Sequence, residues 1–453
     1  MKVLLIGNGA REHAIAEALA RSQGHQPEIY AYMKANNPGI AEIVKNSGGL
    51  VEIGAYDDLH KIVSFAQDHA VRLTVIGPED PLANGVTDAL KQVGIPAVGP
   101  TKELAKLETS KAFTREILRR NKIPGNPWYK IFGTGDEKKL MLCLRILYND
   151  GLAFVLKPDG LTSGKGVMVQ GDHFQDLAQA EKIALAMLEI YGVVLVEEKL
   201  EGEEFSLQCL TDGKTVVATP PVQDHKRRLN GDKGLNTGGM GSYSCANHLL
   251  PFLTRRDVNE ALLTTYRLAQ AIHEETGEYY QGIMYGGFMA TADGVRVVEY
   301  NARFGDPEAM NVLPLLKTDF VDVCLAIVNG SLNELEVEFQ PWHTVVKYAV
   351  PVNYGLPPDE QVAVTSDIIT IGQSNARYYF SSVNEENGRI KQTSSRAIAA
   401  LGLGDFLAEA ELDAEAGTMA VRGEVAHRSD IGTAELIQKR VRHMQELRGK
   451  VAA

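Results

Sequence analysis

No apolar stretch of this 453-residue chain is long enough to cross a bilayer. The opening MKVLLIGNGAREHA does not read as a signal peptide, because its apolar run is short and ends in a glycine turn. Cysteine is sparse: Cys143, Cys209, Cys245 and Cys324 are scattered without a C-x-x-C pair. That argues against a disulfide framework or a thiolate metal site and points to buried small hydrophobes. An excess of positive charge is also missing. Lys and Arg total 46 against 58 Asp and Glu, a net charge of −12, which argues against general nucleic-acid binding but leaves room for a local basic pocket. The expectation is a cytoplasmic protein with neither membrane nor nucleic-acid partners. Its hydrophobic content of 44% is ordinary for a soluble protein. The length is too great for one core and implies about two to four domains.

The most informative stretch present is VRVVEYNARFGDPEAMN, residues 295–311. Val295–Tyr300 reads as a strand, where side chains alternate between faces, so Glu299 and Asn301 reach the same side. Oxygen ligands of this kind suit Mg²⁺, which keeps positions open for water and nucleotide phosphates. Arg303 follows, a planar guanidinium able to hold a carboxylate or phosphate by two bonds. Asp306-Pro307 stiffens the turn. An ordinary salt-bridged strand end would not need E-x-N-x-R-F-G-D-P-E.

Near the N-terminus, strand-like runs at Lys2–Ile6, Glu28–Met33, Leu73–Ile76 and Ile95–Val98 alternate with helical segments, the first over Arg11–Arg21. This implies a mostly parallel, doubly wound α/β sheet. Ligands of such sheets bind at the carboxyl ends of strands, where Gly7–Arg11 and Gly77-Pro78-Glu79 should fall. A phosphate at the first helix N-terminus would meet free N–H groups there. The dinucleotide fingerprint is incomplete, because Glu12 stands where G-x-G-x-x-G needs its third glycine. His13 reads as a satisfied first-turn side chain.

Further on, PDGLTSGKG (158–166) joins a strand at Ala153–Lys157 to one at Val167–Gln170. Glycines 160, 164 and 166 let backbone N–H groups approach an anion, and Lys157 and Lys165 add charge. The spacing is one short of a Walker A loop and a strand follows instead of a helix, so the loop suits a flap over a triphosphate. In VVLVEEKLEGEEFSLQCL (193–210), a strand ends at Glu197-Glu198 and restarts after Glu203-Glu204, a place where backbone can pair with an adenine edge and a carboxylate with ribose. QDHKRRLNGDKGLNTGGMGSYS (223–244) is too polar and glycine-rich for a core element. Asp224–Arg227 and Asn236–Gly239 read as a loop gripping a small charged substrate.

Taken in order, LIGNGAREHA, VIGPEDPLANGV, GPTKELAKLETSKAFTREIL, KPDGLTSGKGVMV, VEEKLEGEEFS, QDHKR, NTGGMGSYS and VEYNARFGDPE resemble the glycinamide ribonucleotide synthetase family of ATP-grasp ligases in purine biosynthesis. The resemblance covers roughly residues 1–330. It implies ATP-dependent joining of glycine to 5-phosphoribosylamine through a glycyl phosphate, with Mg²⁺ or alternatively Mn²⁺. It makes Glu299 and Asn301 metal ligands, and Lys111 and Lys157 phosphate contacts. Ser163, Gly164, Lys165 and Gly166 become the closing loop, Glu197, Glu198 and Leu200 the adenine hinge, and Glu204 the ribose contact. Arg303 would steady the acyl phosphate and Asp224 would hold glycine's ammonium. Gly9, Arg11, Glu12, Glu79, Asn236, Thr237 and Gly238 fall on the phosphoribosylamine side.

The expected division is an N-terminal Rossmann-like domain (1–103), an ATP-grasp domain (104–330) with 124–192 as a smaller lid-like part, and a small β-rich C-terminal domain (331–453) closed by a helix over Thr433–Arg448. A monomer or weak homodimer is expected. Two departures from the family stand out: Ala10 replaces the second glycine of the first loop, and in 331–453 only HRSDIG (427–432) resembles the family's ending. The competing readings are an ATP-grasp ligase with another amine acceptor, a silent nucleotide-binding protein and a nicotinamide-dependent oxidoreductase. Retention of Glu299, Asn301 and Lys157 disfavours the second, and the missing third glycine disfavours the last.

Overall fold

The computed structural model describes residues 1–161 and 166–451. Five strands, β1 (Lys2–Ile6), β2 (Glu28–Met33), β3 (Val51–Ile53), β4 (Leu73–Ile76) and β5 (Ala97–Val98), form a parallel sheet in the order β3-β2-β1-β4-β5. Helices cover both faces, so the central strands can be apolar throughout, and Val3 to Ile6 are fully buried. Strand order reverses between β1 and β4. The loops Gly7–Gly9 and Gly77–Pro78 therefore open side by side at the switch point, where such sheets bind ligands. The first helix runs Ala10–Ala20. The last strand is shorter than its sequence suggested because Pro96 has no N–H to give the ladder.

Next comes a small antiparallel sheet of β6 (Tyr129–Gly133), β7 (Phe154–Pro158), β8 (Met168–Val169) and β9 (Val193–Glu198), in the order β6-β9-β7-β8. Helices Glu137–Asn149 and Leu177–Tyr191 pack on it around a separate apolar core that includes Leu144, Phe154, Phe174 and Val196. A second antiparallel sheet uses β10 (Glu203–Thr211) and β11 (Val216–Ala218). The chain then gives β12 (Gln223–Asp224), β13 (Arg227–Leu229), β14 (Lys233–Asn236) and β15 (Gly241–Ser244). It returns as β16 (Gly282–Thr291) and β17 (Gly294–Asn301) to complete the order β11-β10-β16-β17.

A third sheet draws on distant parts of the chain. β12 and β15 join β18 (His343–Pro351), followed by Ile398–Gly404 and Arg377–Phe380. Stretch 223–244 therefore does supply a core strand, contrary to its composition. Gly241–Ser244 is buried throughout and pairs with β18. Its polarity is tolerated because the Ser244 hydroxyl donates to Pro221 O at 3.0 Å and the Ser242 hydroxyl donates to Asn311. Besides the expected C-terminal helix, which runs Ala434–Val451, the region carries a helix at Leu407–Ala420. It lies so close to the third sheet that a Cβ at Gly402 would come 1.9 Å from Ala410 O. All four cysteines are free and buried. Among the described residues no helix is long and apolar enough to cross a membrane.

Candidate active site

These four sheets meet at a cavity of about 440 Å³ that opens into a neighbouring pocket of about 340 Å³. Its floor is set by a bulge in β17. Gly287 pairs with Glu299 but Phe288 pairs with Val297, so Val298 drops out of the ladder. The freed Val298 carbonyl accepts from Arg115 Nη2 at 2.8 Å and Lys157 Nζ at 3.0 Å. Glu299 and Asn301 both line the cavity beyond the bulge. Burial alone would raise the Glu299 pKa, but Lys226, Lys111, Lys157 and Arg303 outweigh it and hold the carboxyl below its usual range. The Asn301 amide satisfies its neighbours when its nitrogen donates to Tyr300 O (3.2 Å) and Glu108 (3.3 Å), which turns its oxygen away as an acceptor. Among the described residues there is no cluster of three or more His, Cys, Asp or Glu set for a metal. Two oxygen donors beside a ring of lysines fit a divalent cation that draws its remaining ligands from nucleotide phosphates and water.

Lys157 Nζ sits 2.7 Å from Glu197, and Arg115 forks onto the same carboxylate at 2.8 Å through each of Nε and Nη2. Burial opposes ionisation of Glu197, yet these two cations bring its pKa down to about 2. Lys157 is buried and its own pKa is lowered by desolvation, with Glu197 pulling the other way. Glu197 is thus an internal anchor: its side chain is committed and its backbone pairs with β6 and β7 on either side. The backbone N–H groups of Glu198 and Lys199 donate to Trp128 O and Ala153 O. Leu200 lines the smaller pocket with Val155, Val169 and Glu204. Lys111 begins the helix Lys111–Arg120 and donates to Gly160 O at 2.9 Å, at the start of the glycine loop. Ser163, Gly164 and Lys165 lie outside the described residues, while Gly166 precedes the lining residue Val167.

At the switch point an ionic belt crosses the cavity wall. Arg303 pairs with Glu79 at 3.2 Å and Glu108 at 2.8 Å, and Arg11 pairs with Glu79 at 3.7 Å. Despite desolvation, these carboxylates keep Arg303 firmly charged. Glu12 has a different place from the one its motif suggested. It is 2% exposed, accepts from Gly9 N at 2.6 Å and pairs with Arg11. A Cβ at Gly7 or Gly77 would come within 2.3 Å of its side chain. The loop's concavity is therefore filled from inside. The Gly9 N–H is not open to an incoming phosphate, and neither Gly9 nor Glu12 lines the cavity, whereas Arg11 and Glu79 do.

Asp224, Lys226 and Asn236-Thr237-Gly238 form the facing wall. Burial and the nearby Glu308 push the Asp224 pKa well above the carboxylate range, against Lys226 and Arg396. Gly239 has φ +109, and a Cβ there would lie 2.6 Å from Asp224 Oδ1. Lys226 lies 3.4 Å from Glu204 and 4.0 Å from Glu299. Arg115, Tyr285, Glu308, Tyr354 and Arg396 also line the cavity and were not singled out from sequence. Arg115 stands four residues after Lys111, one helical turn on, and Glu308 sits inside the DPE run, so both left a signal. Tyr354 and Arg396 left none: they arrive through the third sheet from beyond residue 350.

Comparison with known proteins bears on this geometry. Residues 1–108 match the model of the phosphoribosylglycinamide synthetase N domain, and residues 109–309 that of the phosphoribosylglycinamide synthetase ATP-grasp (A) domain. The chain belongs to the phosphoribosylglycinamide synthetase family. It is 47% identical over 449 residues to a phosphoribosylamine–glycine ligase of Methanocella arvoryzae, covering 99% of this chain and 100% of that one. It is 47% identical over 451 residues to that of Methanocaldococcus jannaschii, with the same coverage. The crystal structure of phosphoribosylamine–glycine ligase from Thermotoga maritima superposes with a TM-score of 0.77 at 26% identity, over 95% of this chain and 100% of that one. The two domain models together end at residue 309, while the alignments to the Methanocella and Methanocaldococcus relatives cover 99% of the chain and so run on through residues 331–453.

Proposed function

We propose that the chain joins glycine to 5-phosphoribosylamine with ATP, giving glycinamide ribonucleotide, ADP and phosphate in purine biosynthesis. The observation that carries this reading is that one cavity gathers two chemistries. Lys111, Lys157, Glu299 and Asn301 suit a polyphosphate, while Asp224 and Asn236-Thr237-Gly238 suit small polar substrates. As an ATP-grasp ligase of this family the chain uses ATP and a divalent cation.

In the first step a glycine carboxylate oxygen attacks the γ-phosphorus of ATP. The bond to the ADP oxygen breaks, leaving glycyl phosphate. Lys111 and Lys157 offset charge on the phosphates, and Arg303, fixed by Glu79 and Glu108, is oriented toward the acyl phosphate. Glu299 and Asn301 would hold Mg²⁺, with Mn²⁺ as the alternative, and the ion supplies charge neutralisation at the phosphates. In the second step the amine nitrogen attacks the glycyl carbonyl, inorganic phosphate leaves with the carbon–oxygen electron pair, and the amine's proton is lost. Asp224 receives glycine's ammonium, whose charge favours the ionised carboxyl that burial disfavours. Arg11, Glu79 and residues 236–238 face the amine substrate, and Glu198 to Leu200 with Glu204 face the nucleoside. No side chain forms a covalent bond, so rate comes from positioning and charge.

The units 1–103, 104–330 and 331–453, with 124–192 as the lid, are proposed to act together as a cytoplasmic monomer or weak homodimer. The test is ADP release by purified protein with ATP and Mg²⁺, adding glycine and freshly generated phosphoribosylamine separately and together. Turnover requiring both supports the reading. Turnover appearing only with another amine or acid would move the chain to a different ATP-grasp ligation.

A further inference from the structure

The HRSDIG run at 427–432 has no part in the chemistry above, yet its Arg428 and Asp430 belong to an ionic cluster with Asp232. Arg428 is fully buried. Its Nε and Nη2 fork onto Asp430 at 2.8 Å each, Nη1 donates to Arg227 O at 3.0 Å, and Nη1 and Nη2 reach Asp232 at 3.2 Å. Asp430 also accepts from Gly231 N at 2.7 Å, and Ser429 and Asn230 exchange hydrogen bonds at 2.8 and 3.2 Å. From the C-terminal helix, Arg440 pairs with Asp232 at 2.5 Å.

All these contacts converge on the β13–β14 ribbon, a sheet of only two strands. Two-stranded ribbons are marginal on their own. This one has a register irregularity between Arg227 and Leu229, and Leu229 and Leu235 are exposed, so it has little apolar packing of its own. Its turn also places a non-glycine residue, Asp232, at φ +60, a conformation that needs support from its surroundings. The ribbon matters because of where its ends lie. Lys226 precedes it and Asn236-Thr237-Gly238 closes it, all on the cavity wall. Arg227 pairs directly with Asn236. Whatever fixes the Arg227 carbonyl fixes Asn236.

We infer that Arg428, with Asp430, is a positioning residue for the ligation: it sets the register of the 227–236 ribbon and thereby places Asn236-Thr237 against the amine substrate. The assignment of 236–238 to the amine rests on the function proposed above. Lysine cannot replace this arginine, since an ammonium lacks the planar fork needed to hold Asp430 while reaching Arg227 O and Asp232.

The test is Arg428→Lys in the full-length chain, with kcat and KM measured separately for phosphoribosylamine, glycine and ATP. The expected result is a loss on the order of tenfold to a hundredfold in kcat/KM for the amine, as for a misplaced positioning group, with a clearly smaller loss for ATP, whose pocket Lys226 and Asn236 also line. Amide hydrogen exchange should quicken within 227–236 and not in β9 or β10. Unchanged amine kinetics, or equal losses for amine and ATP, would overturn the inference. If Arg428→Lys does not fold, Asp430→Asn keeps the side chain's size and should show the same split in smaller degree. Asn236→Ala separates the two readings. If it leaves amine saturation untouched, the substrate assignment of 236–238 is wrong. The clasp then stands or falls on the exchange rates alone, and unaltered exchange in 227–236 would end it.

Discussion

Glu299 and Asp224 are both carboxylates in one cavity, and their surroundings drive them in opposite directions. Four cations overcome the burial of Glu299 and keep it ionised. Glu299→Gln should therefore keep the fold and lose turnover on the order of a hundredfold or more, in line with removal of a preorganised charge. The check is kcat against Mg²⁺ concentration beside a thermal unfolding curve; normal activity at limiting Mg²⁺ would refute the assignment. Burial and the nearby Glu308 push the Asp224 pKa upward instead. Below the unfolded carboxylate pKa both states carry the proton and nothing is lost. As pH rises above it, the unfolded chain ionises while the folded one resists, so stability falls until the raised folded pKa is passed. Asp224→Asn should thus abolish glycine-dependent turnover while raising the melting temperature, with the gain larger at pH 7 than at pH 4. A variant destabilised equally at both pH values would show that the carboxyl's pKa is not raised.

The joint between elements depends on a buried ion cluster. Arg115 of the helix Lys111–Arg120 and Lys157 of β7 share Glu197 of β9, and both reach the bulged Val298 carbonyl of β17. Removing one partner of a buried pair leaves an uncompensated charge and costs about 3–5 kcal/mol. Arg115→Leu leaves Glu197 still paired with Lys157 and should cost less than Glu197→Gln, which strands two buried cations and should lower stability by about 3–5 kcal/mol; equal losses in chemical denaturation would contradict the shared cluster. Why the sequence revealed some elements and hid others follows from the range of the forces involved. β1, β2 and β4 were legible because strands covered on both faces are continuous apolar runs. Glu299 and Asn301 were legible because spacing on a strand fixes their side. The commitment of Glu197 was not, since it depends on Arg115, 82 residues away. Glu12 misled for a related reason. A motif records which residues are present, but only the fold shows that this carboxylate plugs the loop it follows.

On the scale of the whole molecule, the boundary expected near residue 330 would cut through a single sheet. β12 and β15 come from before it, and β18 and Ile398–Gly404 from after it, yet they form one sheet. β15 pairs with β18 along its whole length, from Gly241 opposite Lys347 to Ser244 opposite Thr344. The cavity is shared in the same way. Arg396 donates to Gly238 O at 2.6 Å and pairs with Asp306 at 3.2 Å, and the Tyr354 hydroxyl accepts from Gly238 N at 3.0 Å. Composition could not reveal this, because a strand's partner is chosen by closure of the chain and not by its neighbours in sequence. A fragment ending at residue 330 would expose a buried, polar strand with its ladder unpaired on one side, which folded chains avoid. It should be insoluble or lack a cooperative thermal transition, while the full chain melts in one. Co-expression with residues 331–453 should restore both solubility and ligation, because the missing strand and the Arg396 contact return together. A soluble 1–330 fragment with full ligase activity would show instead that the third sheet is not needed to build the amine wall.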